Sequence, residues 1–416
     1  MRFRWTFGGW TSLLIVAVVA AVLATPAGAR QRDDDGSFHN AVYVETNTPT
    51  GNTVIVFNQH KDGTISQGQV VATGGLGGAA QQPFGFPVTD SQGAVTSNDS
   101  GSLIFAVNAG DNTISSFRAT PSGLVLTDRV SSGGTLPVSV TSHGNLLYVL
   151  NELSGSIFGF HFDGAGHLQP IGGSWRSLAT PGPDGVSAQI GLSPDGRVVT
   201  VTNRCFMGCP LNPLGLIDTF VLGPGDVAVS HSWAPSAAPL PFGFAYAGPH
   251  HLIVTNVGFS STLNGQPPPA GDPSQLNGST SSYDIAHDGT LNATSDVASG
   301  GRATCWITIS NDGKYAFVTN SLSTFPPGTG QGAITSYAIA SDGTLTKLGQ
   351  TNTSPDFPTD LDLSKDGKYL YVLNDTLNPF DSTSHIDVYR VDGGNLTHIQ
   401  TTPSNLPGGT SGLIAG

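Results

Sequence analysis

Charge is scarce in this chain: Asp, Glu, Lys and Arg make up 11% of its 416 residues. The few that exist are unbalanced, with 16 basic residues against 29 acidic ones and a net charge of −13. An acidic surface argues against nucleic acid or an anionic membrane as partner. Cysteine is nearly absent, with three residues. Cys205 and Cys209 share one loop, so a small local disulfide is expected, whereas Cys-x3-Cys without a nearby histidine pair gives zinc little support. Cys305 stands beside Trp306 in an apolar stretch and reads as a small buried residue rather than a nucleophile. No Gly-x-Ser-x-Gly, His-Glu-x-x-His, P-loop or dinucleotide fingerprint occurs, and the sequence calls for no cofactor and no metal.

Long apolar runs are missing too. The stretch from Leu13 to Leu23 follows Arg2 and Arg4 and precedes Ala27-Gly28-Ala29, which is the pattern of a secretory leader over residues 1–29. It is too short to span a bilayer as a helix. Cleavage near Ala29 would remove Arg2 and Arg4, take the net charge to −15, and leave a secreted protein, extracellular or periplasmic. Residues 30–37, with Asp33, Asp34 and Asp35, read as a disordered spacer before a single domain over 38–416.

What the chain has in abundance is glycine, 55 residues, and a repeated strand ending in asparagine. Seven apolar strands run into Asn47, Asn108, Asn151, Asn203, Asn256, Asn320 and Asn374, spaced 61, 43, 52, 53, 64 and 54 residues apart. Self-similarity at that period marks a repeat architecture, and anything present in every unit belongs first to the scaffold. A second strand with an aromatic end follows each asparagine, for example Thr113 to Phe117 and Ile334 to Tyr337. Asp-Gly or Ser-Gly turns such as Asp62-Gly63 and Asp342-Gly343 then fold the next strand back. A fourth strand, often opened by proline as at Pro137, Pro241 and Pro358, completes the unit.

The spacing therefore predicts an all-β, seven-bladed propeller of four-stranded antiparallel blades. The domain opens at Val42 without an innermost strand and ends on Pro407 to Gly416, which reads as an innermost strand without a successor. The last segment is expected to fill the first blade and close the ring, which removes exposed sheet edges. The asparagines are expected to cap turns.

Chemistry is expected at the mouth formed by the long loops, at 204–215, 257–279, 321–332 and 375–384. Residues that break the repeat there are Glu152, Arg204, Asp375 and Arg302, with Gln189, Trp306 and Asp360 on innermost strands. A carboxylate and a guanidinium converging on one mouth suit a polyhydroxylated ligand or an activated water. Charges on loops equally serve as contacts between neighbouring loops, and both readings stay open. Phe84, Phe242 and Trp306 are expected to line apolar channel entrances.

The strand-turn pattern resembles the seven-bladed lactonase-like propellers, which include bacterial 6-phosphogluconolactonase and fungal carboxymuconate-cyclising enzymes. The resemblance spans the mature chain and is most specific at Asn151-Glu-Leu-Ser-Gly-Ser156 and at Ala188 to Arg197 followed by Asn203-Arg204. It implies a lactone at the channel mouth, with Glu152 as base and Arg204 or Arg302 as oxyanion partner. Where that family tends to carry Pro-Arg-His, this chain has Pro137-Val138-Ser139; its acidic residue is replaced by Gln189 and its Pro-Arg pair by Pro241-Phe242. Two functions follow as expectations for what should be a monomer: an exported enzyme hydrolysing or isomerising a lactone, or a non-catalytic propeller binding a carbohydrate or protein partner through its long-loop face.

Overall fold

A computed structural model describes residues 41–78, 90–180, 186–205, 211–212, 214–258, 278–322, 332–354, 356–375 and 383–416. The expected leader and spacer, Phe84, Cys209 and most of the four long loops lie outside the described residues. Seven antiparallel sheets form the seven expected blades, each built on four strands from the channel outward; these are consecutive in the chain in blades 2 to 7, and blades 3 and 7 carry one further short segment. The innermost strands are Val95–Ser97, Pro137–His143, Ser187–Leu192, Pro241–Ala247, Arg302–Ile309 and Phe357–Leu363 for blades 2 to 7, and Leu413–Ala415 for blade 1. Ring closure is as the termini imply: Val42, Tyr43 and Val44 pair with Ala415, Ile414 and Leu413. The outer edge of blade 3 is broken into the short segments Leu168–Pro170 and Arg176–Ser177, both paired to its third strand. Among the described residues the one helical element is a 3-10 turn at Pro224–Asp226.

The second strands are buried on both faces, as in Leu103–Asn108, Leu146–Asn151 and Val198–Asn203, because each sheet is sandwiched between two others. Apolar clusters fill these inter-blade spaces; one joins Val42, Val44 and Leu413 of blade 1 to Tyr371, Leu373 and Ile386 of blade 7. Outer strands, such as Ile65–Ala72 and Ala228–Pro235, are mostly exposed.

The repeated asparagines do something other than cap turns. Asn108, Asn256 and Asn320 donate Nδ2 hydrogen bonds of 2.7–2.8 Å to Ser115, Ser281 and Thr335 on the third strand of their own blades. Asn203 and Asn374 reach Asp218 and Asp387 in the same way. Those third-strand groups then bond the outer corner of the preceding blade: Ser115 donates to Thr73 O, Thr335 to Ser299 O, and Asp387 accepts from Ser354 N. A buried polar side chain is stable only when hydrogen-bonded, so this relay runs through most inter-blade seams. Ser132-Gly133-Gly134 and its counterparts at 73–75 and 299–301 exist for the same contact. A Cβ on Gly75, Gly134 or Gly301 would collide with Asn108, Asn151 or Asn320.

The innermost strands begin with a second repeated device. Leu136, Val186, Leu240 and Ala303 have φ between 44° and 61°, in the left-handed region, and a register shift follows in each case. Non-glycine residues there are strained by about 1–3 kcal/mol. The carbonyls of Leu136, Val186 and Leu240 accept the N–H of the residue after the repeat asparagine, namely Glu152, Arg204 and Val257. The bulges turn side chains and backbone groups toward the channel.

Candidate functional site in the central channel

Inner strands are laced to one another by side chains that bond a neighbour's backbone. Ser139 and Thr141 of blade 3 accept Ile190 N and Leu192 N of blade 4. Gln189 pairs its amide with Phe244 in blade 5, donating at 3.0 Å and accepting at 2.5 Å. Asp360 and Asp362 of blade 7 accept Leu413 N and Ala415 N of blade 1, at 2.8 and 2.9 Å.

Across the lumen runs a strap, residues 90–93. Gln92 N bonds Ala188 O, Ser139 donates to Gln92 O, and Val140 N bonds Gly93 O, which ties the strap to blades 3 and 4. On the far side the Gln92 amide pairs with Ile307 of blade 6, donating at 2.6 Å and accepting at 3.2 Å. Trp306 donates its indole N–H to Ser91 O at 2.9 Å, and Ser91 Oγ bonds Val138 O. Arg204 latches the start of the strap: Nη1 lies 2.7 Å from Asp90 Oδ2, Nη2 donates to Asp90 O, and Nε donates to Val186 O. Its guanidinium also sits 4.9 Å from the Phe242 ring centroid, which packs edge-on against Trp306. Phe242 and Trp306 are thus buried on the long-loop side of the strap and do not line an open entrance.

Below the strap lies a cavity of about 250 Å³, in the half of the channel toward the short turns. Gln92, Thr141, Gln189, Tyr246, Asp360 and Asp362 supply its polar wall, and no Lys, Arg or His is among its lining residues. Burial pushes the Asp360 carboxyl well above the usual range, opposed by the N–H groups of Leu413 and Leu361. Burial likewise pushes Asp362 up to about 6, with Ala415 N, Leu363 N and Thr308 hydroxyl opposing. The Tyr246 phenol, held 2.7 Å from Thr200 Oγ1, is driven upward by burial and stays neutral.

Of the residues singled out from sequence, Gln189 and Asp360 meet in this cavity. Glu152 and Arg204 occupy equivalent positions after the repeat asparagines of blades 3 and 4, at the long-loop end. Arg302 begins the innermost strand of blade 6 at that same end. Asp375 is buried and accepts Gly409 N at 3.0 Å. Cys205 is disulfide-bonded, its expected partner lying outside the described residues, and Cys305 is a free buried thiol whose pKa burial raises. Sequence reasoning missed Asp362, Gln92 and Tyr246. The alternation Asp360-Leu-Asp362 on an innermost strand was the available signal for Asp362, since residues two apart share a face; nothing in the sequence places Gln92 across the lumen. Among the described residues no group of three His, Cys, Asp or Glu side chains has the geometry of a metal site.

The family model described as "Lactonase, 7-bladed beta-propeller" matches residues 39–177 and 307–410. The chain belongs to that family. Solved structures agree on the fold. The periplasmic gluconolactonase PpgL of Pseudomonas aeruginosa superposes with a TM-score of 0.62 at 15% identity, covering 90% of this chain and 98% of its own. A Bacteroides fragilis protein provisionally named a 6-phosphogluconolactonase gives 0.63 at 19%, covering 90% and 97%. A Lactobacillus plantarum protein gives 0.64 at 16%, covering 90% and 98%. No curated protein matches the chain. Likeness at such identities speaks for the fold alone. The family match stops short of residues 178–306, which include Gln189, Arg204 and Tyr246.

Proposed function

We propose that this lactonase-family propeller is exported and binds a lactone or related cyclic ester inside the channel, below the strap, where Asp362 handles the proton of hydrolysis. The observation that carries the reading is the pair Asp360 and Asp362, one buried carboxyl and one half-buried, on one strand and lining one cavity. A general base works best with a pKa near the working pH, and Asp362 at about 6 meets that condition. Water adds to the ester carbonyl as Asp362 takes its proton; the ring C–O bond then breaks and that proton passes to the leaving oxygen. Arg204, expected at first as an oxyanion partner, is read here as the latch of the strap, since Asp90 and Val186 engage its guanidinium.

A second reading is a non-catalytic propeller that holds a carbohydrate in the same cavity. It is favoured by the commitment of both aspartates to backbone N–H groups of blade 1, which leaves them as structural staples. Lactone hydrolysis by the purified mature protein separates the two, measured beside Asp362→Asn, Glu152→Gln and Arg204→Ala. The channel reading expects Asp362→Asn to lower kcat by about 10²-fold or more and Glu152→Gln to leave most of it. Loss with Glu152→Gln and survival with Asp362→Asn would return the chemistry to the long-loop mouth. Binding without turnover would establish the second reading.

A further inference from the structure

The strap changes which ligands the channel admits. Its backbone is tied to blades 3 and 4 and its Gln92 side chain to blade 6, so it crosses the lumen above the cavity. Above it the space is filled by Trp306, Phe242 and the Arg204–Asp90 pair. These groups stand between the cavity and the long-loop end of blades 3, 4 and 6. Its lining residues come from the ends of innermost strands near the short turns, such as Thr141, Leu192, Tyr246 and Asp362.

We infer that the channel is a one-ended pocket, roofed by residues 90–93 and reached from the short-turn face, which accepts uncharged ring compounds and excludes phosphorylated or carboxylated ones. Recognition of a phosphate or carboxylate uses cations or clustered N–H donors aimed at it. This wall offers two carboxyls, the Tyr246 phenol, the hydroxyls of Thr96 and Thr141, and two carboxamides that each give one N–H to Phe244 O or Ile307 O; none of these is a cation. At the short-turn rim, Lys314 and Lys368 face Asp312 and Asp366 at 3.3 and 2.8 Å, which balances their charge. Of the guanidinium groups near the lumen, Arg204 lies on the other side of the strap and is paired with Asp90, and Arg302 begins its strand at the long-loop end. An anion entering the pocket would meet carboxyl groups and no cationic partner. An uncharged polyhydroxylated ring would meet hydroxyl and carboxyl groups that can both donate and accept.

The choice of ligand class rests on the lactone reading above, but the pocket itself can be probed without a lactone. Thr96 lines the cavity, so Thr96→Cys places a thiol there. Its modification by a cationic and an anionic methanethiosulfonate reagent of similar size is compared with the same pair at Leu153→Cys, an exposed residue near the long-loop face. The parent protein supplies the background rate. The inference expects the cationic reagent to be favoured at position 96 by about tenfold over its ratio at position 153. Equal ratios at the two positions would overturn it. Calorimetry with D-glucono-1,5-lactone and its 6-phosphate forms the second arm. Tighter binding of the uncharged lactone supports the inference, and equal or tighter binding of the phosphate overturns it while the lactone reading stands. Binding of neither lactone, with the thiol preference intact, overturns the lactone reading and leaves the anion-excluding pocket in place.

Discussion

Single residues in this protein act mainly as mortar between blades, and their strength can be measured. Asp387 is the densest case: it accepts Ser354 N, Ser354 Oγ and Thr401 Oγ1 at 2.9, 2.7 and 2.6 Å, and Asn374 reaches it from the second strand. Burial acts to raise its pKa, yet the hydrogen bonds from Thr401 and Ser354, with His385 nearby, leave it below the usual carboxylate value. Asp387→Ala orphans several donors at once and is expected to cost about 3 kcal/mol in urea unfolding. Since the folded pKa is depressed, this stabilisation is present above the unfolded value near 3.8 and disappears as pH falls through the folded one. The difference between wild type and variant should therefore shrink in acid. Arg204 and Asp90 offer a second test. With the Arg204 side chain 5% exposed and that of Asp90 22%, Asp90→Ala strands a buried guanidinium and should cost about 3 kcal/mol. The Asp90→Ala/Arg204→Met double variant should recover part of that loss, and a strictly additive result would show that the latch carries no coupling.

At the scale of strands and straps, the sequence was legible where the periodicity is strong. Strands ending at Asn108, Asn151 and Asn374 announce themselves because a blade buried on both faces needs an unbroken apolar run. Innermost strands were harder to place in detail, since left-handed residues such as Leu136 and Val186 and the bulges after them have no composition that predicts them. The strap was invisible for the same reason: Asp90-Ser-Gln-Gly93 has no periodicity, and its partners lie as far off in sequence as Ile307. The inner strand of blade 7 holds the closing strand through Asp360 and Asp362, and here pH enters. A carboxyl whose folded pKa is raised favours the fold when protonated, so its contribution is fullest below about 3.8 and is lost as pH rises through about 6. For Asp362, which still meets the cavity, that amounts to about 1–3 kcal/mol. Hydrogen exchange of peptides covering 406–416, corrected for intrinsic rates, should accelerate between pH 4.5 and pH 7 by a factor of about ten or more. Asp362→Asn should flatten that dependence. A pH profile unchanged by the substitution would remove Asp362 from the closure.

For the whole molecule, closure is the step that turns seven sheets into one cooperative body. In the last strand alternate N–H groups take opposite duties: Gly416 N bonds Ala41 O in the first strand, while Leu413 N and Ala415 N turn to the aspartates of blade 7. One three-residue strand thus completes a sheet on one side and bonds two inner-strand carboxyls on the other. Its removal by ending the chain at Gly412 would open the first blade along Val42 to Val44, strip Leu413 from the seam shared with Tyr371 and Ile386, and leave Asp360 Oδ2 and Asp362 Oδ2 without their N–H partners. A buried leucine contributes about 2 kcal/mol and each orphaned buried acceptor about 1–3 kcal/mol, so the shortened chain should lose at least 4 kcal/mol, roughly, of unfolding free energy. An exposed strand edge also recruits a partner. The shortened protein is therefore expected to form dimers or larger species on size-exclusion chromatography and to unfold over a broader denaturant range. A synthetic peptide spanning 406–416 should restore the sharp transition, because it supplies the missing edge and both N–H donors. A shortened protein that stays monomeric and unfolds as steeply as the parent would mean that the ring holds without its clasp, and that the apolar seams alone make the blades cooperative.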